Sequence, residues 1–499
     1  MQTLMQPVIM PVQEFSQCLK QILAGRKISA SELARMMAYK SRNSIFRILD
    51  EKGGHSARQA FYDRLTGEDP LDLSEQERQA LGQALEVSRV GEHVFMSNRA
   101  MRELLMSAGM ETEGKRVRID AFNRPEDPGF HMGLAEMARN RKAYIAITGC
   151  CDRAIFNALR ERIYKTDVTC DVKVTHLIYT GEEEIVNNIS AIQPLLYCDF
   201  YTAYCVEPGV FGREREALYR QNCIHVQTLD QDGTWYWQSF ALADKGVFIP
   251  LGRKTQAPQD CFSRYFAEDL KRMPLLKAEF SGKNGLENYL SYTESCRKLE
   301  MNRAIYTIKL DVPFPCIHPD ILLPCVQEDF WNMAGEKAAE VKAAFRQIHL
   351  ERWENIFEKK KSTHIICSQE AMARFARSGR LSDHVFVIRT YTPRERVQIL
   401  MHLRAQAREN PNFSLYFFKA GFEPMLTEIG LYEGEGTLIN KPYTHYDLAG
   451  DHAEAIIAQK EFCQRYKEFF IKDLLERSVI SQEETLAYMD ALIEMAQKA

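Results

Sequence analysis

From about residue 115 onward, helix-like and strand-like stretches alternate along the chain, and this alternation restricts the possible folds more than any other feature. HMGLAEMARNRK precedes AYIAITG (143–149), DRAIFNALRERIY precedes VKVTHLIYTG (172–181), and GEEEIVNNISAIQPLL precedes DFYTAYCVE (199–207). Strands separated by helices of this length predict a parallel or mixed sheet with covering helices. CIHVQTL, TWYWQSFAL and VFIPLG then read as a meander, with Asp232-Gly233 as a hairpin signal between the first two. The alternation resumes with NRAIYTIKLDVP (302–313), a helical run over 336–360, and THIICS (363–368). QEAMARFARSG, a strand HVFVIRTYT (384–392), the helix RERVQILMHLRAQAREN and the strand NFSLYFFK (412–419) follow. Thr392-Pro393-Arg394-Glu395 is a capping box with Pro at the first helical position.

A weak internal match lies within this region. KGVFIPLG precedes CFSRYFAEDLKR (245–252, 261–272), and EGTLINKP precedes CQRYKEFFIKDLLER (435–442, 463–477). Two copies of one α/β module would give this pattern, with coincidence as the rival explanation. Tandem α/β halves around a cleft occur in sensor domains and in phospholipase D-like folds. The latter need a His-x-Lys motif, which this sequence lacks.

The amino-terminal part has a different pattern. SASELARMMAYKSRNSIFRIL (29–49) reads as two short helices joined by a tight turn. Ser29 and Glu32 fit a capping box, Leu33, Ala34, Met36 and Met37 supply an inward face, and Tyr39 and Lys40 fall in the turn. Ser41 is placed to cap the second helix, whose Ile45, Ile48 and Leu49 recur at core spacing. Its other side carries Arg42, Asn43, Ser44 and Arg47, residue types that hydrogen-bond base edges and phosphates. Helices over 13–24 and 56–65, the latter stopped by Thr66-Gly67, complete a small helical domain. Residues 26–64 hold nine basic and four acidic side chains, a local +5 within a chain of net charge −4. A basic patch on an acidic protein is the electrostatic footprint of a DNA-contacting module.

On these residues, 13–67 resemble the helix-turn-helix domain of the lambda Cro and repressor-like (XRE) transcription regulators. Ser29, Glu32, Leu33, Ala34 and the Ile45/Ile48 pair carry the resemblance. Two departures stand out: the family's usual turn glycine is Ala38, and the turn is one residue longer. The resemblance implies a dimer on operator DNA. A helical hairpin that packs against the rest of the chain or binds a protein is the competing reading.

A chain of 499 residues is expected to hold several domains. The expected division is a helix-turn-helix domain over 1–69, a helical connector suited to dimerisation over 70–112, an α/β module with the meander over 113–290, and a second over 291–499. The connector opens with a capping box at Ser74–Glu77, followed by a second helix from about 97 to 108. No apolar run is long enough for a membrane helix, and no basic residue precedes Lys20, which argues against a signal peptide. Thirteen cysteines without a disulfide framework suit free thiols in the cytoplasm.

Chemistry-bearing motifs are sparse. His364 and Cys367 alternate onto opposite faces of a strand, and Cys316, His318 and Cys325 lack a fourth metal ligand. Cys150-Cys151 reads as a packed turn, with a redox sensor as the alternative, and Glu182–Glu184 as an acidic first helical turn. Trp235 and Trp237 share one strand face, Tyr236 and Phe240 the other, suiting a core or an aromatic pocket. No catalytic residue, metal or cofactor is assigned. The expectation is an all-α helix-turn-helix domain followed by a large α/β body, acting as a transcription regulator. Arg35, Lys40, Ser41, Arg42, Asn43, Ser44 and Arg47 would contact double-stranded operator DNA. The body would sense a small-molecule or protein effector. An enzyme with an appended docking domain is the alternative.

Overall fold

The computed structural model describes residues 14–39, 42–50, 54–106, 142–149, 156, 159, 171–179, 185–196, 200–229, 233–243, 247–250, 255–256, 266, 268–273, 278–279, 285–381, 387–420, 428–440 and 454–499. They form two compact units, over 1–99 and 100–499.

The first unit begins with α1 (Phe15–Arg26), α2 (Ala30–Met36), α3 (Arg42–Leu49), α4 (His55–Glu68) and α5 (Glu75–Val90); α6 (Glu92–Met106) follows. Apolar residues at helical spacing converge on one core: Phe15 and Leu19 from α1, Leu33 from α2, Ile45 from α3, Phe61 and Leu65 from α4. Leu81, Ala84 and Leu85 of α5 join the same core, so this part of the expected connector packs with the helices before it. Ser29/Glu32 and Ser74/Glu77 both form the capping boxes that the sequence predicts. Two expectations differ. Met36 points outward, and Met37, completely buried, closes the core at the end of α2. Helix α4 does not stop at Thr66-Gly67, because the Thr66 hydroxyl donates back to the Tyr62 carbonyl at 2.8 Å and stays within the helix. The break comes at Asp69, which is left-handed (φ 45°) and accepts a hydrogen bond from the Leu73 amide at 2.9 Å.

The second unit carries two seven-stranded sheets. In the first, β1 (Lys142–Thr148), β2 (Asp171–Tyr179) and β3 (Tyr201–Val206) are parallel. The meander β4 (Cys223–Leu229), β5 (Trp235–Ala243) and β6 (Val247–Pro250) continues antiparallel from β1. β7 (Thr255–Gln256) pairs with β5. Helices α7 (Ile185–Leu196) and α8 (Arg213–Arg220) flank β3 in the chain. After β8 (Ala278–Glu279) and α9 (Gly285–Glu300), the second sheet repeats the plan. β9 (Ile305–Lys309), β10 (Thr363–Cys367) and β11 (Phe413–Phe417) are parallel. β12 (Glu428–Tyr432), β13 (Gly436–Asn440) and β14 (Glu454–Ile457) continue antiparallel from β9, and β8 adds to the edge at β14. The orders β3-β2-β1-β4-β5-β6 and β11-β10-β9-β12-β13-β14 are the same path, with the same strand directions. Two related modules therefore describe the body, but the sequence match that suggested them is one strand out of register. KGVFIPLG is the sixth strand of its sheet and EGTLINKP the fifth of the other.

The crossovers α10 (Ala338–Phe357), α11 (Gln369–Ser378) and α12 (Pro393–Glu409) lie on one face of the second sheet, in a core with Ile305, Ile365 and Leu415. Arg389 to Thr392 do not form the expected strand; Ile388 makes only an isolated bridge to Val326, while 384–386 lie outside the described residues. β10 already has β9 and β11 on its two sides, so this segment finds no open edge there. The opposite face carries Tyr306, Ile308, Ile366 and Ile429, covered by α13 (Lys460–Phe469) and the π-helix Phe470–Ser478. That core also includes Ile145, Val174 and Tyr201 of the first sheet and Ile189 and Ile192 of its crossover α7. The crossover face of the first module is thus packed on the reverse face of the second. The last helix, α14 (Gln482–Lys498), completes the crossover-side core with Met489 and Leu492.

The body holds a buried ion pair, while the buried Arg396 donates to the Ala376 and Arg377 carbonyls instead. Arg352 of α10 donates from Nε and Nη2 to both carboxylate oxygens of Glu300 at the end of α9, at 2.7–3.2 Å, with both side chains almost fully enclosed. Arg352→Ala leaves a buried carboxylate without its counter-charge and should cost about 3–5 kcal/mol in denaturant unfolding; replacing both partners by apolar residues of similar volume should recover most of it. In the first unit, Arg26 grips Glu77 through two nitrogens and joins α1 to α5. Chiefly through this bond the Glu77 carboxyl is held down at about 2. Its folded value lies below the unfolded one, so the pair stabilises fully above about pH 4.3 and is lost as pH falls towards 2. Glu77→Gln, which retains a capping side chain, should flatten the acid limb of the unfolding curve over that interval.

Candidate nucleic-acid interface

The eight residues of α3 divide cleanly. Ile45, Ile48 and Leu49 are buried in the core of the first unit, while Arg42, Asn43, Ser44, Phe46 and Arg47 are exposed. Among the described residues, neither Arg42 nor Arg47 has a carboxylate partner, so both guanidinium groups are available to an anion. Arg35, near the end of α2, is four-fifths exposed and meets Glu32 at 3.6 Å, a surface pair of little energetic weight. Lys40 and Ser41, the remaining expected contacts, lie outside the described residues. Other members of the basic cluster are engaged elsewhere. Arg26 is bound to Glu77 and to the Leu71 carbonyl, and Arg64 pairs with Glu68 and lies over the Tyr39 ring.

Five residues, 37–41, separate these helices. Ala38 occupies the left-handed region with φ 50°, the backbone conformation for which glycine is favoured. The longer turn and the alanine expected from sequence therefore meet at one strained position, where a Cβ costs roughly 1–2 kcal/mol. Phe46 was not among the contacts expected from sequence. Its signal was present, as an apolar residue out of phase with Ile45, Ile48 and Leu49.

In the body, the residue types that could carry chemistry have structural partners. Cys316 is fully enclosed and its thiol pushed up by burial; Cys325 is pushed up to about 12, with its Sγ donating to the Ile321 carbonyl at 3.1 Å. His318 caps the short helix Pro319–Leu322, its Nδ1 accepting from the Asp320 amide at 3.2 Å. His364 stacks on Tyr306 at 5.2 Å, while Cys367 faces the other core. Lys309 and Glu428 pin the ends of β9 and β12, with Nζ 2.5 Å from the carboxylate. Trp235 stacks on Tyr144 at 5.7 Å and Trp237 on His225 at 5.6 Å, all on the sheet face opposite Phe240. Cys150, Cys151 and Glu182–Glu184 lie outside the described residues. No cluster of three or more His, Cys, Asp or Glu side chains able to hold a metal ion occurs among the described residues.

Comparison of the chain with protein-family models, curated proteins and solved structures finds no match.

Ala38→Gly should relieve the left-handed strain and raise stability by up to about 1 kcal/mol, the gain being offset in part by the greater freedom of an unfolded glycine. A higher melting temperature of the first-unit transition, with no change in the far-ultraviolet spectrum, is the expected result.

Proposed function

We propose that this chain is a DNA-binding transcription regulator. The outward face of α3 would read duplex DNA, and the α/β body would sense a small-molecule or protein effector. The observation that carries this reading is the exposed row Arg42, Asn43, Ser44 and Arg47, with no acidic partner for its two arginines among the described residues, on a helix whose opposite face is locked into a core. Such a helix presents guanidinium and amide groups at the spacing of base edges and phosphates. Arg35, with Lys40 and Ser41 in the turn, would hold the backbone. Repressor-type modules act in pairs on two half-sites, so a homodimer belongs to the proposal, as does a cytoplasmic location. No helix among the described residues is long and apolar enough to cross a membrane.

The test is a mobility shift with the full-length chain on duplexes recovered from a random-sequence pool. Arg42→Ala/Arg47→Ala should bind at least about tenfold more weakly and reduce the slope of log K against log salt by about one for each phosphate that is no longer neutralised. Binding equal to wild type would remove the assignment.

A further inference from the structure

Among the described residues of the first unit, Phe46 and Met36 are the large apolar side chains that stay exposed, and Phe46 is the one on α3. Phe15 and Phe61 are fully buried, whereas Phe46 is 42% exposed. Helix geometry places Arg42 and Asn43 one turn before it and Leu49 and Asp50 one turn after, so the ring lies on the flank of the outward face, between Arg42 and Asn43 on one side and the buried Leu49 on the other. A single exposed apolar side chain is ordinary on a protein surface. This one lies one turn from Arg42 and Asn43 on the helix proposed to enter the major groove, and the two exposed arginines of that helix suit a polyanion. Among the edges of the four base pairs in that groove, thymine supplies the apolar group, its C5 methyl.

We infer that Phe46 is a specificity-determining residue that packs on a thymine methyl in the bound site. This rests on the reading of α3 as a DNA-contacting helix. Arg42, Asn43 and Arg47 supply the polar interactions, and Phe46 adds a preference that hydrogen bonding alone does not provide. Removing the thymine methyl, or the ring, abolishes the same apolar interaction.

The experiment uses full-length protein and the duplex recovered from a random pool, prepared with thymine or with deoxyuridine in its place. Wild type should bind the uracil duplex about fourfold more weakly for each methyl that the ring covers. Single replacements should localise the loss to one position per half-site. Phe46→Ala should bind both duplexes alike, near the affinity of wild type for the uracil form, with an unchanged melting temperature because the ring is not part of the core. Arg47→Ala should weaken binding to both duplexes while retaining the thymine preference. A thymine preference that survives in Phe46→Ala, or is absent from wild type that still binds the duplex, overturns the assignment of Phe46 alone. Loss of self-association in Phe46→Ala with the preference intact also overturns it and places the ring against protein. Failure of wild type to retain any duplex overturns the DNA-contacting reading and this inference together.

Discussion

The body depends on one shared core. Ile145, Val174 and Ile189 of the first module and Tyr306, Ile366 and Phe462 of the second belong to the same apolar cluster. The sides are not equivalent. The first module contributes the face bearing its crossover helices, and the second contributes the reverse face, under α13 and the π-helix. Two modules with the same strand path are thus joined head to tail, an arrangement that uses two different surfaces and has no internal two-fold axis. Side chains of both modules pack together in that core. Asp473, nearly enclosed in the π-helix, receives two hydrogen bonds from Arg102 and so ties the end of α6 to the carboxyl-terminal segment of the body.

In the first unit, the division of labour among arginines matters more than their number. Arg26 and Arg78 are structural, holding Glu77 and Asp69 where α1, α4 and α5 meet. Among the described residues, Arg42 and Arg47 have no such partner. A polyanion would therefore meet a narrow cationic strip on a rigid helix, where release of condensed counterions favours binding and salt opposes it.

Much of the fold was legible because it is local. Three capping boxes at Ser29, Ser74 and Thr392 mark helix starts, and strand alternation locates β1 to β5 and β9 to β11. What escaped was decided by distant interactions. HVFVIRTYT has strand composition, but of its described residues only Ile388 pairs, in a single bridge to Val326. The repeat was visible only through non-equivalent strands because equivalent positions face different surroundings in a head-to-tail stack: the reverse face is covered by another module in one copy and by α8 and the Phe266 segment in the other. Different neighbours select different side chains, and the shared pattern fades first at the interface. On α3, the polar row was readable from residue type. The exposure of Phe46 was foreshadowed by its phase against Ile45, Ile48 and Leu49, and the structure gives its extent.

The head-to-tail core also determines how the body responds to disturbance. Its two sheets share a set of buried side chains, so loosening either would expose apolar surface on both, and one cooperative unfolding transition is expected of the body. If the body senses an effector, as proposed, this shared interior would be the route by which one module feels a change in the other.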